Sequence, residues 1–246
     1  MTQLPAKTQL LACTILVGLI SNPVVAENHD WQFEVTPYVW AAGLEGDIST
    51  GGGMPIGSPV ENEYSFFALE NLDLAGFLSF EARKGRWRLL ADSLYIAYSD
   101  DFGSGPIRTD LEVEGVILEG ALGYRLPQYE QIELIGGGRF FSIRNKIDLT
   151  PGPAGSGKVD WADPFIGARI SYELDSKWYA SLRGDIGGFG VSSDPMYNAA
   201  VTLGYRVNEN INIKLGYRYL FADFEKKLFN YDVAVSGFGL GLGIRF

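Results

Sequence analysis

The stretch Val235–Phe246 reads VSGFGLGLGIRF, with Gly237, Gly239, Gly241 and Gly243 separated by Phe238, Leu240, Leu242 and Ile244. A glycine run alone suggests a linker or a phosphate loop. Strict alternation instead describes a strand with two unlike faces, one apolar and one stripped of side chains. Which of the two holds depends on whether the same period recurs upstream.

It recurs. Ten alternating segments lie near 32–43, 72–83, 86–98, 111–125, 131–147, 160–173, 177–189, 196–206, 211–225 and 231–246. One face of each is almost purely apolar, as in Trp178, Ala180, Leu182, Gly184 and Ile186, while the other carries Tyr179, Ser181, Arg183 and Asp185. Alternation does not say which face is wet, but three features do. The connections RKG, LPQYEQ, DSK and NEN are short, whereas 43–71, 99–110 and 148–159 are long and rich in Gly, Ser, Pro and Asp; that asymmetry marks an outer-membrane barrel. Trp87, Tyr124, Trp178, Tyr205 and Phe246 gather at the short-turn end of the apolar faces, where a membrane interface places an aromatic girdle. The polar faces hold full charges at Glu81, Arg88, Asp92, Glu119, Arg139, Asp163, Arg169, Arg183, Asp185, Lys214 and Arg218, a charge network suited to a barrel interior. The expected fold is therefore an all-β, transmembrane antiparallel up-and-down β-barrel of about ten strands, with eight or twelve as alternatives. Its turns are short and periplasmic and its loops long and external. Lipid cannot satisfy a strand edge, so the sheet must close.

Composition agrees. The 246 residues include 31 glycines and 13% aromatics, and the formal charge of −10 argues against nucleic acid as a partner. At the N-terminus, Lys7, the apolar core Leu10–Ile20 and the small residue Ala26 have the layout of a secretory signal peptide over 1–26, leaving 27–246 as one barrel domain. Cys13 falls inside that core without the full apolar run that a lipid-modified cysteine requires, so removal of the leader leaves no cysteine.

The segments TPYVWAAGLEGDIST (36–50), FFALENLDLAGFLSFEARKGRWRLLADSLYIAYSDD (66–101), WYASLRGDIGGFG (178–190), LGYR, LGYRYL and GIRF resemble a family of Gram-negative outer-membrane β-barrel proteins, small barrels of the OmpA and OmpW kind. The similarity spans nearly all of the chain after Ala26. It implies fold and outer-membrane location, and it offers no catalytic residue. The terminal aromatic with Phe238, Leu240, Leu242, Ile244 and Phe246 at alternate positions also resembles the C-terminal signal read by the outer-membrane insertion machinery.

Chemistry-bearing motifs are few. GPAGSGKV, Gly152–Val159, approaches the phosphate-loop pattern but has Val159 where a magnesium-binding hydroxyl belongs, so it reads as a mobile external loop. The single histidine, His29, precedes the first strand, which removes the usual general base from any barrel-mouth active site. No cofactor and no metal is expected; His29 with Glu27 and Asp30 reads as an exposed tail. A tight ARKGR hairpin would set Glu81 opposite Arg88, and Glu119 meets Arg139 in one of two registers. Ser65–Leu72 reads as a short capped helix that folds over or into the barrel mouth. These readings leave two roles open: an envelope component with a packed interior, or a narrow passive pore for small solutes and ions. A surface-binding protein acting through external loops is the alternative, and a barrel enzyme the weakest. Expected partners are outer-membrane lipid, the insertion machinery and small solutes or ions.

Overall fold

The structure, a computed structural model, describes residues 30–50, 54–55, 64–65, 72–102, 108–152, 154–226 and 229–246. The expected leader and His29 lie outside these residues. Ten long strands follow one another: β1 (Gln32–Thr50), β2 (Leu72–Lys84), β3 (Trp87–Phe102), β4 (Arg108–Arg125), β5 (Ile132–Thr150), β6 (Ala154–Glu173), β7 (Trp178–Gly187), β8 (Ser193–Arg206), β9 (Ile211–Lys226) and β10 (Phe229–Arg245). Each pairs antiparallel with the next, and β10 pairs with β1 from Glu34↔Arg245 to Thr50↔Phe229, which closes the sheet. The two-residue pieces Met54–Pro55 and Tyr64–Ser65 add to the upper edge of β1.

The turn chemistry explains the short-turn end. Gly85 (φ +56°) takes the left-handed conformation that a two-residue hairpin requires and glycine adopts without penalty. Asp175 accepts the backbone N–H groups of Lys177 (2.6 Å) and Trp178 (2.8 Å). Asn208 does the same for Asn210 (2.9 Å) and Ile211 (2.8 Å). These side chains mimic a backbone turn and fix the strand registers on either side.

At the other end the strands run further than their alternation suggests. The connections expected at 43–71, 99–110 and 148–159 shrink to 51–71, 103–107 and 151–153, because β1, β3, β4, β5 and β6 continue into them. Much of the external length is thus strand rather than loop. Ala154–Val159, read from sequence as part of a mobile loop, pairs residue by residue with Ile143–Asp148 and leaves no phosphate cradle. The helix expected over Ser65–Leu72 is contradicted at both ends, since Ser65 bridges to Gly43 and Leu72 opens β2; residues 66–71 lie outside the described residues.

The apolar faces point outward, with Phe238, Leu240, Leu242, Ile244 and Phe246 exposed on the wall. Trp87 packs tilted against Tyr124 (4.8 Å between ring centroids), Trp178 tilted against Tyr205 (4.8 Å), and Phe33 stacks on Phe246 (5.8 Å), so the short-turn girdle includes cross-strand aromatic pairs. Along β4 the outward apolar run from Tyr124 to Val116 ends at Glu114. At a rise of ~3.4 Å per residue and a tilt of ~40° it covers roughly 20 Å, close to the lipid-facing band of such barrels. Above that level the outward side chains form exposed ion pairs, Glu114–Arg144 (2.9 Å), Glu112–Lys146 (3.1 Å) and Lys158–Asp160 (3.0 Å). They mark where the wall leaves the lipid.

Candidate functional site: a plugged lumen and its vestibule

All eleven charged residues assigned to the interior from sequence are on the inner face, and the neighbours of ten of them divide those ten into two layers. In the middle of the barrel Arg139, fully shielded from solvent, donates to Glu119 from Nε (3.0 Å) and Nη2 (2.6 Å) and reaches Asp185 (3.1 Å). Arg183 bridges the same two carboxylates at 2.7 and 2.8 Å. Arg218 spans Asp92 (3.2 Å) and Glu119 (3.5 Å) and donates to Asn198. The Tyr38 hydroxyl donates to Asp92 (3.0 Å), and the Asn198 amide donates to Asp185 (2.7 Å). The Glu119↔Arg139 register is direct, so that cross-strand pair is realised as the sequence suggests. Asp163 takes no part in this network: its Oδ1 accepts the N–H groups of Ser192 and Ser193 (both 2.9 Å), tying the β7–β8 turn to the inner wall.

The second layer lies nearer the short turns. Glu81 collects Arg83 (3.0 Å), Arg88 (2.6 Å) and Arg169 (3.0 Å), and Arg88 also reaches Glu133 (2.8 Å). Glu34 holds Lys214, Arg245 (2.7 Å) and the amide of Asn212 (3.0 Å). One expectation is corrected here. The two-residue hairpin sets Arg83, not Glu81, opposite Arg88, and Leu90 opposite Glu81; the Glu81–Arg88 pair forms on the diagonal, which long side chains can bridge. Glu34, Arg83, Glu133 and Arg245 were not singled out from sequence, although the parity of their strands already places them inside.

The third feature bears on the choice between a packed interior and a narrow pore. Above the middle charge layer the interior is apolar. Trp161 of β6 lies stacked between Phe141 (4.7 Å, 8°) of β5 and Phe224 (4.4 Å, 10°) of β9, with Tyr231 of β10 against it at 5.3 Å. The indole N–H donates to Ser193 (3.1 Å). Met196, Phe165, Leu220, Val233 and Leu94 complete the layer, all buried. Guanidinium groups of the charge layer lie against its underside: Arg139 is 4.8 Å and Arg183 5.5 Å from the Phe165 ring, and Arg218 is 5.7 Å from Trp40. Cation–π attraction joins the two layers.

A closed antiparallel sheet with an apolar outer wall, paired charges inside and an aromatic girdle is stable only with lipid around it. The chain is a transmembrane β-barrel. No protein-family model matches it, and no curated protein does. Among solved structures it is similar to Ail, the attachment invasion locus protein of Yersinia pestis, at 14% identity over 88% of this chain and 99% of that one, with a TM-score of 0.42. It is similar to Neisserial surface protein A at 14% identity over 87% and 97% (TM-score 0.37). It is also similar to the outer membrane protease OmpT of Escherichia coli at 10% identity over 91% and 99% (TM-score 0.46). Matches at this level carry nothing about activity.

Below the plug the barrel is not full. A cavity of about 780 Å³ extends between the charge layers to the short-turn end, where Arg125, Tyr129, Gln131, Glu173 and Arg206 line its mouth. Among the described residues the cavity opens toward the short turns, and Trp40, Leu90 and the aromatic stack lie above it. Among the described residues no group of three or more His, Cys, Asp or Glu is placed to hold a metal ion.

Proposed function

We propose that this protein is a resident of a Gram-negative outer membrane that acts as a closed envelope barrel, admitting solutes from the periplasm into a vestibule without passing them to the exterior. The observation that carries this reading is the transverse stack Phe141–Trp161–Phe224, which connects strands far apart on the wall and leaves the upper lumen packed with apolar side chains. A passive pore needs a continuous polar path. Here the charges of the middle layer are paired one for one, and the plug above them is apolar apart from the Trp161–Ser193 hydrogen bond. The outward apolar wall and the leader-like N-terminus support the location. The alternating Phe238–Phe246 edge, beside β1 where the barrel closes, supports recognition of the closing strand by the outer-membrane insertion machinery. The only histidine precedes β1, which disfavours an enzymatic role.

Planar-bilayer recording of the full-length protein tests the reading. Discrete conductance steps are expected to be absent from the parent and to appear in the Trp161→Gly/Phe224→Gly double variant, with heat-modifiable migration on a denaturing gel to show that both are folded. Steps of equal size in parent and variant would overturn it.

A further inference from the structure

The two charge layers do not balance alike. In the middle layer each arginine bridges carboxylates, and Glu119, Asp185 and Asp92 answer Arg139, Arg183 and Arg218 one for one. In the layer facing the vestibule three carboxylates answer five cations. Glu81 and Glu133 share Arg83, Arg88 and Arg169, and Glu34 alone serves Lys214 and Arg245. Arg125, at the mouth, has no ion-pair or side-chain hydrogen-bond partner among the described residues, and Arg206 is answered by Glu173 (2.6 Å). The cavity wall as a whole carries nine Arg or Lys side chains against six Asp or Glu, within a chain whose net charge is −10.

An uncompensated cation in a low-dielectric wall is costly, and the surplus amounts to about two charges in the layer nearest the opening. Guanidinium groups offer forked donors that match carboxylate and phosphate oxygens. A volume of about 780 Å³ falls in the ~300–1,000 Å³ range of small-molecule sites. A chamber that opens toward the short turns takes its ligand from that side.

We propose that the vestibule is a binding chamber for a small dianion with oxygen acceptors, a dicarboxylate or a phosphate, drawn from the periplasm and held between the Arg83/Arg169 side of the wall and Arg125 at the mouth. The proposal deepens the closed-barrel reading and rests on it for the side of entry. Its failure is separable, because a silent bilayer without binding sinks only the chamber.

The test is isothermal titration of the full-length protein in detergent micelles with sodium succinate, with inorganic phosphate, and with 1,4-diaminobutane as a cation of similar length. One saturable site is expected for succinate or for phosphate and none for the diamine. The dissociation constant should rise with added sodium chloride, as screening weakens the attraction. Binding of succinate alone identifies a carboxylate ligand, and binding of phosphate alone a phosphate ligand. Arg83→Gln/Arg125→Gln raises the dissociation constant at least tenfold. This variant is chosen because Glu81 keeps Arg88 and Arg169 and Arg125 leaves no carboxylate behind, so heat-modifiable migration is retained. The Trp161→Gly/Phe224→Gly variant, altered only in the plug, keeps the parent affinity. No saturable binding of either anion, or parent-like binding by the double arginine variant, would overturn the proposal.

Discussion

At the scale of single residues, the interior distinguishes positions that look alike in sequence. Arg139 is the most deeply shielded cation among the described residues, and its removal strands Glu119 and Asp185 together with only Arg183 and Arg218 to share. Arg139→Leu is expected to cost roughly 3–5 kcal/mol, the usual loss when one partner of a buried pair is deleted. It would be read as a lowered urea midpoint for the gel-shifted folded form. The four glycines of the closing strand are also unequal. A Cβ on Gly237 would lie 2.6 Å from the Ala41 carbonyl carbon and 2.7 Å from the Ala42 Cα, both fixed backbone. One on Gly241 would lie 2.9 Å from the Thr36 methyl, and one on Gly239 would meet nothing closer than 3.4 Å. Alanine should therefore be tolerated at 239, reduce folding yield at 241 and abolish closure at 237, in that order on the same gel assay. The sequence says only that all four face inward. Their ranking depends on how closely β1 approaches β10 at each position, and at Gly237 the Trp40 indole N–H donates to the glycine carbonyl (3.1 Å).

At the scale of elements, the hairpins carry the register and the strands carry the reach. Asp175 is ionised in a turn outside the lipid, and the N–H groups of Lys177 and Trp178 that it accepts hold its carboxyl below the ordinary value. A depressed folded-state value means that the carboxylate stabilises the β6–β7 turn fully above the unfolded value of ~3.9 and less as pH falls through the folded value. Asp175→Ala should lower the urea midpoint at pH 7, and the gap from the parent should close on acidification below that point. Asp175→Asn keeps an acceptor and should lie between them, with little dependence on pH. Ten strands and their facing were legible, because lipid on one side and charge on the other impose a clean period of two. The upper ends of β1, β3, β4, β5 and β6 were not. Beyond the lipid both faces turn polar or small, as in AGSGKVD (154–160), and the contrast that defines the period disappears.

At the scale of the whole molecule, one sequence builds two solvents' worth of contacts: an outer wall for lipid and an inner column that changes character with height. From the short turns upward come an open vestibule, a layer of carboxylates gripped by surplus cations, a balanced layer centred on Arg139, and an aromatic plug. The same stacking makes the middle charges affordable, since water is excluded above them while the guanidinium groups rest on Phe165 and Trp40. The chain alone determined the barrel, a strand number of about ten, the inward charges and the closing role of Val235–Phe246, because each follows from a local period, a turn or a count; the structure settled ten against eight or twelve. Even the Glu119–Arg139 pair was within reach, since adjacent strands share a register. Only the tertiary structure decided that an aromatic stack crosses the lumen above the charge layers. Trp161 meets Phe224 across two intervening strands, and Arg139 meets Asp185 across one. Contacts of that kind are set by how the sheet curls shut, and no pattern along the chain records the curvature.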